Sequence, residues 1–371
     1  MDISNKTFVV VGTGKSGVAA AELLLRHAKK VYLYDGNEAL DVAAFRKQHQ
    51  SLEAVELILG TLPAEIETTL DIAVLSPGVP LDIPVVEQMK AQGICIWGEI
   101  ELAYVLGKGK VVAITGTNGK TTTTTLVGQI MARHFAKVQV VGNIGIPYTS
   151  VVEDTTEDTV VVAEISSFQL ETIQTFAPKA AAILNITPDH LNRHHTMENY
   201  IAAKESIVKN QSKEDICVLN YNDEVLRDFG KTLEQNVIYF SSTEVLEEGL
   251  YLDGNEIMWA RNSVSEPIIS VEELHILGAH NYENAMAAIA LCDGMGVPMQ
   301  TICDGLRAFH AVEHRIEFVC KKNDIAFYND SKGTNPDAAI KGICAMNRKT
   351  VLIGGGYDKE STYDEWIDSF H

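Results

Sequence analysis

The stretch that most constrains this chain is Lys110-Val111-Val112-Ala113-Ile114-Thr115-Gly116-Thr117-Asn118-Gly119-Lys120-Thr121-Thr122. Its consecutive apolar residues predict a buried strand, Gly116 and Gly119 punctuate a tight loop, and the Thr-rich run opens a helix. A strand, a glycine loop and a helix N-terminus in succession aim backbone N–H groups and the positive end of a helix dipole at one point. That arrangement suits phosphate. Lys120 would then reach the β- and γ-phosphates of a nucleotide, and the Thr121 hydroxyl would ligate Mg²⁺. The common spacing G-x-x-x-x-G-K-[ST] would need a glycine where Ile114 stands, so the loop is a shortened variant. On this stretch alone, an ordinary strand–turn–helix with a surface lysine stays open.

A second glycine loop lies near the N-terminus. The strand-like Thr7-Phe8-Val9-Val10-Val11 runs into Gly12-Thr13-Gly14-Lys15-Ser16-Gly17 and a helical Ala/Leu run, and Val31-Tyr32-Leu33-Tyr34 then ends on Asp35. This is G-x-G-x-x-G in its strand–helix context, with an acid about 20 residues beyond. The motif reports a diphosphate near a helix end. A nicotinamide dinucleotide with Asp35 on its ribose, and glycines that serve only helix–sheet packing, both remain open. Further strands are expected at residues 55–59, 72–75 and 94–97. The rigid Ser76-Pro77-Gly78 turn closes one of them, and the alternation of strands and helices predicts a small parallel sheet.

Beyond the central loop, Thr159–Glu164 reads as a buried strand with a carboxylate at its end. Glu164 is a candidate metal partner or a helix-capping acid. A third strand over residues 180–186 leads to Thr187-Pro188-Asp189-His190-Leu191-Asn192-Arg193-His194-His195. There His190 could ligate a metal or orient phosphate, and His194 and His195 are expected to be solvated. By pattern Lys204 is a surface lysine. Residues 213–275 read as short strands without evident chemistry. His280-Asn281-Tyr282-Glu283-Asn284 opens an Ala-rich helix whose amides could hold an adenine or ribose, or simply cap it. Near the C-terminus, residues 325–328 and 350–353 read as strands, residues 336–346 as a helix, and another helix begins near Thr362. Thirty Lys and Arg against fifty Asp and Glu give a net charge of −20. That balance argues against nucleic acid and anionic membranes as partners, so a polyanionic ligand needs a local basic site. Six cysteines without a C-x-x-C pair suggest reduced, mostly buried thiols. No apolar run is long enough to span a membrane.

Taken together, several of these segments resemble the Mur ligase family of ATP-dependent peptide-bond formers. They are Gly116–Thr122, Gly142-Asn143-Ile144-Gly145, Glu164-Ile165-Ser166-Ser167-Phe168-Gln169-Leu170-Glu171, Thr187–Leu191 and Ala202-Ala203-Lys204. His280–Asn284, Glu313-His314-Arg315 and Asn329-Asp330-Ser331-Lys332-Gly333-Thr334-Asn335-Pro336 continue the match in order. The resemblance implies an α/β fold of three domains. These are a Rossmann-like domain over residues 1–105, a central P-loop-type ATPase domain with a parallel sheet over 106–312, and a C-terminal α/β domain from 313 to 371. In the family that last domain continues further, so the chain is expected to be incomplete there and to bind its ligands better than it completes ligation. The implied substrates are UDP-N-acetylmuramoyl-L-alanine, D-glutamate and ATP with Mg²⁺, and the implied setting is a monomer in the bacterial cytoplasm. By the same resemblance Lys15, Ser16, Gly17, Asp35, Ser76, Pro77, Gly78 and Asn143 meet the UDP substrate. Gly116, Thr117, Asn118, Gly119, Lys120, Thr121, Thr122, Asn281, Arg315, Asp330 and Lys332 meet ATP, and Thr334 and Lys359 meet the amino acid. Thr121, Glu164, His190 and Lys204, the last as a carbamate, would serve the metal. Lys120, Glu164, His190 and Lys204 would carry catalysis. The carbamate replaces the surface reading of Lys204.

Overall fold

The computed structural model describes residues 1–143, 145–310, 316–346, 348–356 and 362–370. The chain divides into two compact units. The first comprises Met1–Val111, Gln139–Pro178 and Asn192–Asn210, and the second Val112–Val138, Lys179–Leu191 and Gln211–His371.

In the first unit β1 (Thr7–Val11), β2 (Lys30–Asp35), β3 (Glu56–Leu59), β4 (Ile72–Leu75) and β5 (Cys95–Gly98) form a parallel sheet of order β3-β2-β1-β4-β5. Every residue of β1 and β4 is buried, which explains why their sequences are continuous apolar runs rather than alternating ones. Helices Lys15–His27 and Pro84–Ala91 supply the crossovers after β1 and β4. The strand order reverses at β1, so the carboxyl ends of β1 and β4 form a topological switch point, where open α/β sheets take their ligands. The Gly12–Gly17 and Ser76–Gly78 loops emerge there. A Cβ on Gly17 would lie 1.9 Å from the carbonyl oxygen of Gly12, so this close helix–loop approach admits only glycine.

The chain continues through β6 (Lys110–Thr115), β7 (Val138–Gly142) and β8 (Val160–Glu164). Strand β8 and, from Gln139 onward, β7 lie side by side in the first unit, whereas β6 from Val112 onward belongs to the second. There it is joined by β9 (Ala180–Ile183), β10 (Ile216–Asn220), β11 (Asn236–Ser241), β12 (Gly249–Asp253), β13 (Glu256–Arg261) and β14 (Val264–Ser270), in the order β14-β13-β12-β11-β10-β9-β6. From β6 to β12 the pairing is parallel, and β12 to β14 form an antiparallel meander. Strand β9 is nearly all alanine and completely buried. The Ala-rich helix Ala279–Gly294 packs on the sheet and against helix Lys120–Met131, the small side chains letting the layers approach closely.

The last segment holds an antiparallel hairpin, β15 (Glu317–Lys322) with β16 (Ile325–Asn329), and the helices Pro336–Cys344 and Asp364–Asp368. The strand expected over residues 350–353 does not form, and Val351 and Ile353 are more than 90 % exposed. A four-residue apolar run becomes a strand only beside a pairing edge, and among the described residues β15 and β16 pair only with each other. The cysteines also depart from expectation. Cys217, Cys292 and Cys303 are buried, with burial pushing their thiol pKa values up, but Cys95, Cys320 and Cys344 are exposed. Among the described residues no helix is long and apolar enough to cross a membrane.

Candidate functional site

In the second unit the phosphate loop follows the carboxyl end of β6. Gly116, at φ +148°, lies against Leu184, and Gly119, at φ +86°, is the N-cap of helix Lys120–Met131. The loop is tied from behind by the segment after β9. Thr117 N donates to Asn185 O at 2.9 Å, Asn118 N to Asn185 Oδ1 at 2.8 Å, and Thr187 N to Thr117 Oγ1 at 3.0 Å. Thr117 and Asn118 therefore hold the loop in shape with their side chains as well as their backbone. The Lys120 ammonium folds over the loop and donates to the carbonyls of Gly116 (2.9 Å) and Thr117 (2.8 Å). A cation poised on carbonyl oxygens beside a glycine-capped helix start is a built anion cradle.

A cavity open to solvent adjoins this loop, its wall including Asn118, Gly119, Asn185, Asn281, Glu283 and Asp330. Asn281 and Asn284 meet there, but their amides are wired inward. Asn281 Nδ2 donates to Leu277 O at 2.7 Å, Asn284 Nδ2 to Asn281 Oδ1 at 3.1 Å, and Thr123 Oγ1 to Asn284 Oδ1 at 3.2 Å. Thr121 and Thr122 stand in the first turn of the helix, and Asp330 accepts from Ile316 N at 3.1 Å. Lys332 and Thr334 are exposed, whereas Arg315 and Lys359 lie outside the described residues. Asp337 was not anticipated. Its carboxylate accepts from Asn118 Nδ2 at 2.5 Å and pairs with Lys341 at 3.0 Å.

In the first unit, Asp35 accepts from Thr13 N (2.9 Å), Thr13 Oγ1 (2.6 Å) and Asn37 N (3.0 Å). Burial alone would raise its pKa, but these bonds outweigh it and hold the carboxyl below its usual value. Asp35 thus braces the Gly12–Gly17 loop. The Lys15 ammonium donates to the Gly145 carbonyl, bringing Gly145 to the same end of the unit, and Ser16 and Gly17 open the first helix. At the switch point the Ser76 hydroxyl is buried without a hydrogen-bond partner among the described residues, close against Gly12 and Gly17. Pro77 and Gly78 continue its turn.

Asn143 is bound to Glu164, with its N–H on Glu164 O and its Nδ2 on Glu164 Oε1, both at 2.8 Å. Glu164 is 2 % exposed at the end of β8. It is not a cap, because Ser166 caps helix Ser167–Leu170 in a capping box with Gln169. His190 belongs to the second unit, exposed, at φ +53° and 3.6 Å from Asp189. His194 corrects the solvated expectation. It is buried between Phe168 and Tyr200, with Nε2 2.9 Å from Ser167 Oγ and Nδ1 3.3 Å from Glu171. His195 is exposed beside Asp82. Arg193, which no motif reading singled out, grips Glu171 (2.6 Å) and donates to Val79 O (2.9 Å). Lys204 overturns its surface reading outright. It is 1 % exposed, with its ammonium 4.6 Å from the Tyr200 ring centre.

Among the described residues no group of three or more His, Cys, Asp or Glu converges as a ready-made metal cage. Mg²⁺ at a phosphate site needs none, since it keeps waters and takes one or two carboxylates plus phosphate oxygens. Glu164 in the first unit and Thr121 in the second are each, taken separately, oxygen donors of the kind that ion takes.

Two family models match the chain: a Mur ligase middle domain over residues 114–292 and a MurD-like Mur ligase N-terminal domain over residues 6–98. UDP-N-acetylmuramoylalanine–D-glutamate ligases from Lachnoclostridium phytofermentans and Lachnospira eligens are each 52 % identical over 370 residues, covering 100 % of this chain and 82 % of theirs. The solved UDP-N-acetylmuramate–alanine ligase of Thermotoga maritima shares the fold. It has a TM-score of 0.52 and 22 % identity, over 92 % of this chain and 77 % of that one. With its glycine-capped phosphate cradle and parallel switch-point sheet, the chain belongs to the Mur ligase family.

Proposed function

We propose that this chain joins D-glutamate to UDP-N-acetylmuramoyl-L-alanine at the expense of ATP, the activity its relatives are named for, in the bacterial cytoplasm and as a monomer. The observation that carries the reading is the Lys120 ammonium held on the Gly116 and Thr117 carbonyls at the head of the cradle. The substrate carboxylate attacks the γ-phosphate of ATP, and two anions must meet. Lys120 and the helix N-terminus supply fixed positive charge where negative charge accumulates. The resulting acyl phosphate is attacked by the amine of D-glutamate, and loss of phosphate leaves the amide.

The division of labour follows the segments read from the sequence. Residues 1–105, with Ser76, Lys15, Ser16 and Gly17, hold the UDP portion; residues 106–312 hold ATP; residues 313–371, with Thr334 and Lys359, serve the amino acid. Thr121, Glu164, His190 and a carbamylated Lys204 would hold Mg²⁺, which when bound neutralises the phosphate oxygens. Asn143 keeps Glu164 oriented for that role. Asn281 and Asp330 serve the nucleoside from the cavity wall, and Arg315 and Lys332 its phosphates.

The test is phosphate release from ATP with UDP-N-acetylmuramoyl-L-alanine and a panel of amino acids, including D-glutamate, L-glutamate, L-lysine and meso-diaminopimelate. Turnover should require D-glutamate. Lys120→Ala should lower it by roughly 10²-fold or more, the loss typical of one transition-state charge donor, while UDP-substrate binding persists. Equal turnover in the variant, or another amino acid outpacing D-glutamate, would overturn the assignment.

A further inference from the structure

One carboxyl group in the cavity beside the phosphate loop, Glu283, has no role in the reading above. Glu283 projects from the second turn of helix Ala279–Gly294 and lines the cavity beside the phosphate loop. Its Oε1 accepts from Ser242 Oγ at 2.6 Å and its Oε2 from Asn220 Nδ2 at 3.3 Å. Asn220 ends β10 and Ser242 directly follows β11, so the carboxyl lies over the C-terminal edge of the parallel strands. Burial raises its pKa against the opposing hydrogen bonds from Ser242 and Asn220 and the charge of Lys341. Each carboxylate oxygen has two acceptor sites, and each has one engaged by these donors. The neighbouring amides of Asn281 and Asn284 are tied to Leu277, to Thr123 and to each other.

Position along the ligand decides which part Glu283 meets. Adjacent strands are about 4.8 Å apart, and β10 and β11 lie two and three places from β6, which bears the phosphate loop. The strand ends that hold Glu283 are therefore displaced sideways from β6 by roughly 10–14 Å, to one side of the cradle. Ribose is bonded to the α-phosphate and stays close to the loop, and the base reaches farther. Adenine carries an amino donor at position 6, whereas guanine and hypoxanthine carry an oxygen acceptor there. A carboxylate satisfies the first and faces the second acceptor to acceptor.

We propose that Glu283 selects adenine over 6-oxopurines by accepting a hydrogen bond from the 6-amino group, on the reading of this cavity as the ATP site. Serine and asparagine on the strand ends hold the carboxylate in the orientation that makes the selection.

The experiment is competition of ATP, ITP and purine riboside triphosphate against a fluorescent ATP analogue bound to the full chain. Wild type should bind ATP roughly 10- to 100-fold more tightly than ITP, with purine riboside triphosphate between them. Glu283→Gln keeps the side-chain shape and can turn an amide N–H toward the base, so the ratio should fall to near one or invert. Should that variant fail to fold, Glu283→Asp withdraws the carboxylate by one methylene and should lose the discrimination in the same way. An unchanged ATP/ITP ratio in a folded variant that still binds ATP overturns this proposal alone. Failure of wild type to bind ATP at all overturns it together with the reading beneath it.

Discussion

Gly142 tests how Glu164 is held. It ends β7 at φ +103°, a conformation that costs an alanine roughly 1–2 kcal/mol. A Cβ built there would lie 2.2 Å from the Glu164 carbonyl oxygen, 3.1 Å from its carbon and 3.2 Å from its nitrogen, whereas ordinary contact begins at 3.4 Å. All three obstacles are backbone, so no side chain can rotate away. The turn and the end of β8 must separate by more than 1 Å, or stay in overlap at roughly 1–3 kcal/mol. The combined destabilisation of Gly142→Ala is then about 2–5 kcal/mol, which lowers the melting temperature by roughly 5–15 °C. Separation also strains both bonds from Asn143 to Glu164. On the role proposed for Glu164, displacing its carboxylate by about 1 Å should cost on the order of 10²-fold in turnover.

Gly145→Ala is the matched control. Gly145 also has positive φ, at +63°, but nothing lies within 4 Å of the added Cβ. It should show the backbone strain alone, near 1 kcal/mol, with turnover little changed. Scanning calorimetry and phosphate release on both variants separate the terms. If Gly142→Ala melts no lower than Gly145→Ala and turns over as wild type does, steric exclusion does not set the position of Glu164.

Arg193→Lys keeps the charge but loses the fork that joins Glu171 to the Val79 carbonyl. It should destabilise by about 1.5–3 kcal/mol and raise KM for the UDP substrate more than it lowers kcat, since Val79 follows the Ser76–Gly78 turn; an unchanged KM argues against that link. Glu99 is buried, and desolvation raises its pKa above 4.5 against hydrogen bonds from Thr149 and Tyr148. Its folded-state pKa exceeds the unfolded one, so its contribution is full at low pH and is lost as pH climbs from about 4.5 through the raised value. Melting curves from pH 4 to 8 should therefore show wild type losing stability relative to Glu99→Gln as pH rises, and parallel curves would refute this.

Much of this architecture could be read before any coordinates. The β1, β4 and β6 runs are apolar without alternation because both faces are covered, and glycine stands where positive φ or backbone contact demands it, at Gly12, Gly17, Gly116 and Gly119. Those signals are local and survive in sequence. What failed depended on partners distant in the chain. Residues 350–353 have the composition of a strand and find no edge. His194 looked like one of two loop histidines, yet the fold sets it between Phe168 and Tyr200 while His195 faces solvent. Lys204 stands in a nine-residue helix without an apolar stripe, and only its i, i+4 relation to Tyr200 hints that one face turns inward.

Buried charge separates framework from site. Glu101 is fully buried and accepts from Gln174 N, Thr175 N, Thr175 Oγ1 and Phe176 N at 2.6–3.1 Å, so the fold itself saturates both oxygens. Such a carboxylate is a clamp, and nothing is left on it to bind a ligand. Glu283 accepts from two protein donors while bordering a cavity. Placing a carboxylate in a poorly solvated position costs free energy unless its acceptor capacity is used. Where the fold leaves part of that capacity open beside a cradle or a cavity, a bound ligand is what completes it. By this criterion Glu283 is the carboxylate open to a ligand, as proposed above, and Glu101 belongs to the scaffold.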